Sequence, residues 1–181
     1  MIVLAEPVAA PVVVRRCRIE LANGGLAGAV QPYHAAEQMP FVDAETYLRS
    51  CSDVTGAMAR KAVREAMAEL SEYQVTGACV LQAAGRPLPG LPDILGSHAL
   101  IHTAEGEFYR AALRQACEYC GLPERGIKER DLAAEAARAL RRSADDLQSA
   151  VARFGKVVGS PWRQDEKLAA LAAWLVLARR V

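Results

Sequence analysis

Aromatic residues are scarce in this chain of 181 residues, at 6%, and no apolar run is long enough to cross a bilayer. The longest, Leu168 to Ala178, has 11 residues, against roughly 20 for a spanning helix. Charge of one sign is also lacking: 22 Lys and Arg face 21 Asp and Glu, a net +1. With 52% hydrophobic residues, that balance excludes a disordered chain. There is no collagen-like glycine period and no proline-rich low complexity. Histidine is rare, at 3. The cysteines number 5, an odd count that speaks for free thiols in a reducing compartment and against a disulfide scaffold. The opening MIVLAEPVAAPVVV lacks the basic start of a secretion signal and is interrupted by Glu6, Pro7 and Pro11. A cytoplasmic protein with no membrane contact is expected.

What the chain has in quantity is alanine, 35 residues, concentrated in stretches of helical spacing. The balanced charge hides an asymmetry. Residues 151–181 hold 6 basic and 2 acidic side chains, a net +4, while the rest of the chain is mildly acidic or neutral. That basic C-terminal region is the expected contact for nucleic acid, if nucleic acid is a partner. A homodimer is the other partnership expected.

The pattern predicts alternating strands and helices. Residues 12–21 read as a strand, Asn23-Gly24-Gly25 as a turn and 26–30 as a short return strand. Residues 43–72 carry apolar positions at helical spacing, with Asp43 as a candidate N-cap. Residues 74–83 are a short apolar strand, followed by a Gly/Pro loop. A second helix is expected from Asp93 to Cys120, a short strand over 126–130, and a third helix over 133–153. Ser160-Pro161 is expected to open a last helix, Ser as N-cap and Pro at the first helical position. The expectation is an α/β fold: a single domain over 1–181, its mixed, mostly parallel sheet flanked by long helices, and 1–11 a flexible N-terminal segment.

One polar stripe stands out. At about 100° per residue, with His98 at 0°, His102, Glu105 and Tyr109 fall within about 40° of it, on the side of the helix that holds Ile94, Ile101, Ala112 and Ala116. A polar cluster facing a core must be paired or must line a cleft. Histidines four apart with a carboxylate on the next turn can reach one metal. They can equally form a satisfied network in which Glu105 holds the imidazoles. Other candidates are weaker. Cys117 and Cys120 form a CxxC at a helix C-terminus, where the dipole disfavours a thiolate, so core packing is expected of them. The segment Gln31-Pro32-Tyr33-His34 is either a loop serving a site or a surface loop packed by Tyr33. Glu20 lies between Ile19 and Leu21 near the end of the first strand. Asp165 sits in the first turn of the last helix, sharing a face with Ala169, Ala172 and Val176. Phosphate-binding glycine loops, nucleophile elbows and HExxH are all missing.

From Val12 onward this order of elements resembles the ribonuclease H-like superfamily, and within it the Holliday-junction resolvases. The run Asp165-Glu166-Lys167-Leu168-Ala169-Ala170-Leu171-Ala172-Ala173 is similar to that family's last helix, and Glu20 to the acid of its first strand. The third strand, ending Val80-Leu81-Gln82, departs from the family by carrying no acid. The resemblance implies a divalent-metal-dependent nuclease or phosphodiesterase using Mg or Mn. Glu20, Glu105, Asp165 and His98 would be its catalytic residues, with His102 as a further metal ligand; Glu105 here stands in for a carboxylate the family takes from elsewhere. Two other functions are compatible with the residues: a non-catalytic binding or scaffold protein that keeps the fold without the acids, and a small-molecule hydrolase with His98 or His102 as general base.

Overall fold

The computed structural model describes residues 1–22, 27–83, 85 and 87–179. Among these, strands β1 (Ile2–Ala5), β2 (Val12–Arg16), β3 (Ala78–Gln82) and β4 (Glu124–Lys128) alternate with helices α1 (Pro32–Ala36), α2 (Phe41–Glu69), α3 (Leu91–Leu95), α4 (His98–Tyr119), α5 (Glu129–Leu140), α6 (Ala144–Val158) and α7 (Gln164–Arg179). The protein is mixed α/β and mostly helical, as the periodicity predicts.

The sheet differs from the expectation. There are two separate two-stranded sheets among the described residues. β1 and β2 pair antiparallel, Ile2 opposite Arg16 and Ala5 opposite Val12, with an irregularity between Val3 and Leu4. Residues 1–11, expected to be flexible, therefore supply a strand, and the strand expected over 12–21 stops at Arg16. Past Arg16, Cys17 still exchanges bonds with Met1: its N–H donates to the Met1 carbonyl at 3.1 Å and its carbonyl accepts from the Met1 amine at 2.7 Å. Of the expected turn and return strand, residues 23–26 lie outside the described residues, and Ala27–Val30 form a turn. β3 and β4 are parallel, Ala78 opposite Glu124 and Gln82 opposite Lys128, and the connection between them contains α3 and α4.

The helices follow the apolar spacing but break where local chemistry competes. The helix expected over 93–120 is divided at Gly96-Ser97, where Ser97 is extended (φ −141°, ψ 110°) and begins α4. The helix expected over 133–153 is divided at Arg141, which adopts a left-handed conformation (φ 53°). α6 then starts with a capping box: Ser143 Oγ accepts from the Asp146 N–H at 3.1 Å and donates to Asp146 Oδ2 at 2.7 Å. α7 starts at Gln164, later than Ser160-Pro161, because Glu166 Oε2 accepts the Arg163 N–H at 2.6 Å and closes the first turn there.

The chain divides into two compact units. Unit 1 comprises residues 1–19, 67–84 and 121–181. Its central element is α7, which packs on β1, β3, α5 and α6. Trp174 and Ala170 face Ile2, Leu4 and the α6 residues Leu147, Val151 and Phe154. Ala172 and Leu175 face Ile127 and Leu132, with Cys79 and Leu81 of β3 packed against them. A helix covered on several sides must be apolar nearly all round, which accounts for the run Leu168–Ala178. Ala172, on the small face of α7, thus packs beside Cys79 and Leu81 of β3.

Unit 2 comprises residues 20–66 and 85–120, that is α1, most of α2, α3 and α4. Ala36, Ala44 and Leu48 form one buried cluster and Ile94, Ile101 and Ala104 another, with Tyr33 packed against both. The alanines at Ala36, Ala44 and Ala104 let α1, α2 and α4 pack closely.

Candidate metal centre

All three histidines of the chain meet in unit 2. His98 and His102 stand one turn apart on α4, and their Nε2 atoms are 3.1 Å apart. His34, in the middle of α1, faces both: its ring centroid is 5.2 Å from that of His98 and 4.7 Å from that of His102. One ligand nitrogen from each ring can be chosen so that all lie within 4.8 Å of one another. Among the described residues, no other trio of His, Cys, Asp or Glu side chains gathers in this way.

Glu105, one turn beyond His102, completes the arrangement. Its Oε1 lies 2.9 Å from His34 Nδ1 and accepts the backbone N–H of His34 at 3.2 Å. A carboxylate only accepts, so His34 Nδ1 is the donor of this bond, and in the neutral ring Nε2 is the atom left to bind a ligand. A carboxylate behind an imidazole is the usual outer support of a metal-bound histidine: it fixes the tautomer and the ring plane and raises the basicity of the ligand.

The local sequence explains how His34 arrives. Gly28 is left-handed (φ +74°), and a Cβ there would stand 2.5 Å from Ala35 Cβ and 2.8 Å from Tyr47 Oη. Only glycine lets the turn close so tightly. The Gln31 N–H then bonds the Gly28 carbonyl at 2.9 Å, and Pro32, buried, occupies the first turn of α1. Two phenols hold this turn. Tyr47 Oη on α2 donates to the Ala27 carbonyl at 2.7 Å. Tyr109 Oη on α4 donates to the carbonyls of Ala29 (2.8 Å) and Val30 (3.0 Å), a shared bond. Burial, followed by the nearby Glu105 carboxylate and Cys51, raises the Tyr109 pKa, so it remains a donor at neutral pH.

The expected stripe is therefore real, but its setting differs. Glu105 is buried, 8% exposed, whereas His98 and His102 face solvent. α1 packs on α4 and covers the stripe at Glu105, leaving the first turn of α4 open. The two other expected acids stand apart in kind: Glu20 is an exposed residue after the end of β2, and Asp165 is an exposed residue in the first turn of α7, in unit 1. His34 completes the trio, and periodicity could not place it, because 71 positions separate it from Glu105. The signal available was rarity: with 3 histidines in the chain, the third was the natural partner of the pair. Cys117 is buried and Cys120 caps α4; none of the five cysteines is in a disulfide.

Mg prefers oxygen ligands in an octahedron, and a two-ion nuclease centre needs several converging carboxylates. Here the convergent donors are imidazoles, and the one adjacent carboxylate is engaged by His34. Imidazole nitrogens are common ligands of divalent transition ions.

Comparison of the chain with protein-family models, curated proteins and solved structures finds no match.

Proposed function

We propose that unit 2 holds one divalent transition ion through His34, His98 and His102, and that the protein is a metal-dependent hydrolase. The observation that carries this reading is the convergence of three imidazole nitrogens within 4.8 Å, with Glu105 fixing His34 from behind. A structural zinc site is normally closed by a fourth protein ligand. This trio is bordered by solvent at His98 and His102, which leaves room for water and a substrate. An ion so held supplies a Lewis acid at neutral pH. The residues supply the rest: His98 and His102 present their nitrogens from one rigid helix, and Glu105 keeps the proton of His34 on Nδ1. A ribonuclease H-like nuclease is a separate reading, in which carboxylates rather than imidazoles would hold the ions against a phosphodiester. The distribution of carboxylates lends it less support than the imidazoles lend the first one.

The test starts from chelator-treated protein titrated with Zn, Co and Ni in a calorimeter. One ion per chain is expected with micromolar or tighter affinity, lost in the His34→Ala/His98→Ala/His102→Ala variant. Activated carboxylic and phosphate esters, and branched, double- and single-stranded nucleic acids, are then offered with Zn, Mn and Mg. Equal binding by the triple variant would overturn the site. Tight binding without turnover of any ester would overturn the hydrolase and leave the metal-stabilised binding protein.

A further inference from the structure

α1 has five residues, Pro32–Ala36. A helix that short has no stability of its own, since it barely repays nucleation. Where His34 stands is decided by what holds the ends of α1. Its first and last residues, Pro32 and Ala36, are buried, and its middle is fixed by the two contacts of Glu105 with His34. Its N-terminal end is fixed by the turn 27–30, where Ala29 is buried at 4% exposed. That turn is tied to α4 by one side chain, Tyr109, through the carbonyls of Ala29 and Val30.

Tyr109 stands one turn after Glu105, about 20° from His98 around the helix and on the same stripe. One face of α4 thus carries two ligands, then the support of the third ligand, then the anchor of the turn that delivers it. The spacing along α4 and the length of the turn are then matched: an α4 that shifted would carry its own histidines and the anchor of His34 together.

We propose that Tyr109 is a positioning residue of the metal centre, holding the turn before α1 so that the His34 ring faces those of His98 and His102. The inference rests on the metal-site reading and goes beyond it by assigning the ligand geometry to a residue that touches no ligand. Tyr109→Phe removes the hydroxyl and keeps the ring, which is packed edge-on to Phe108 at a centroid distance of 5.2 Å.

The experiment is a double-variant cycle on the full chain, read by Co binding and by the visible spectrum of the Co-loaded protein. Tyr109→Phe is expected to weaken binding about tenfold, the lower end of the range for an outer support, and to change the visible bands. In a His34→Ala background the same substitution is expected to change affinity by less than about twofold, because the ligand it positions is gone. Tyr119→Phe, at the exposed end of α4, is the control. A metal-free measurement runs beside it: long-range nitrogen–proton spectra of the imidazoles should show His34 held as the Nδ1–H tautomer in the parent and mixed in Tyr109→Phe. An equal loss in both backgrounds would overturn the proposal, as would an unchanged spectrum and affinity. If Tyr109→Phe does not fold, Gly28→Ala loads the same turn from its other side and is expected to give the same dependence on His34. If the parent chain binds no ion, the metal centre itself fails, and the tautomer spectra still show whether Tyr109 governs His34.

Discussion

Glu105 Oε1 is shared between two donors of a single residue, the imidazole Nδ1 of His34 at 2.9 Å and its backbone N–H at 3.2 Å. One carboxylate oxygen therefore fixes both the ring and the helix that bears it. A buried acid is costly unless its oxygens are satisfied. The pairing answers that cost and at the same time orients a candidate ligand.

Glu105→Gln keeps an accepting oxygen but loses the charge and allows the amide to flip. Zinc affinity should fall about tenfold, and in Glu105→Ala up to about a hundredfold, the range for removing the outer support of a ligating histidine. Competition against a chromophoric chelator reads both. Unchanged affinity in Glu105→Ala would show that His34 needs no support.

Single alanine replacements of His34, His98 and His102 should each weaken zinc binding strongly, with the ratio of ion to chain falling at micromolar concentrations. Glu20→Ala and Asp165→Ala should leave binding unchanged, since neither belongs to the convergent trio. Atomic-emission metal content after dialysis decides this. A loss in Asp165→Ala matching that in His34→Ala would restore the carboxylate centre.

Gly28→Ala should destabilise the protein by about 1–2 kcal/mol from the left-handed backbone alone. A larger loss is expected because the new Cβ would meet Ala35 and Tyr47 at 2.5 and 2.8 Å. Urea unfolding measures it. Gly85→Ala, where nothing stands within 4 Å of a new Cβ, is the control and should change little.

Alkaline pH should weaken the same region. Burial first, then Cys51, pushes the Tyr47 phenol up to about 12 from 10.0, and Tyr109 is also raised. Both groups hold their protons longer folded than unfolded. The contribution of Tyr47 is complete below pH 10 and is lost as pH rises towards 12, and that of Tyr109 is likewise complete below pH 10 and lost above it. Unfolding free energy in urea should therefore fall between these limits, and fall less in Tyr47→Phe/Tyr109→Phe. Burial also pushes the Cys79 thiol up to about 12, so the comparison is made between parent and double variant at each pH. A decline of equal size in both would remove the phenols as its cause.

Much of this architecture is written locally. The apolar spacing of α2 and the alanine face of α7 suffice to find those helices, because the 3.6-residue period is a property of neighbouring residues. Boundaries failed where short-range chemistry intervened. The Ser143–Asp146 capping box starts a new helix where periodicity continues smoothly, and Glu166 moves the start of α7 past Ser160-Pro161. The single sheet failed for another reason. Strand pairing is a long-range choice, and the hydrophobic pattern of Val12–Arg16 and Ala78–Gln82 does not say which partner each takes.

By itself the sequence determined that His98, His102, Glu105 and Tyr109 share one face of a helix, since about 100° per residue requires it. Only the tertiary structure decided what that face meets. The left-handed Gly28 turn brings α1 onto α4, pairs His34 with Glu105 across 71 positions and covers the stripe at Glu105 while leaving His98 and His102 to solvent. Periodicity fixes direction around an axis, whereas convergence and exposure depend on which distant segment packs there, and that is set by the closing of the turn.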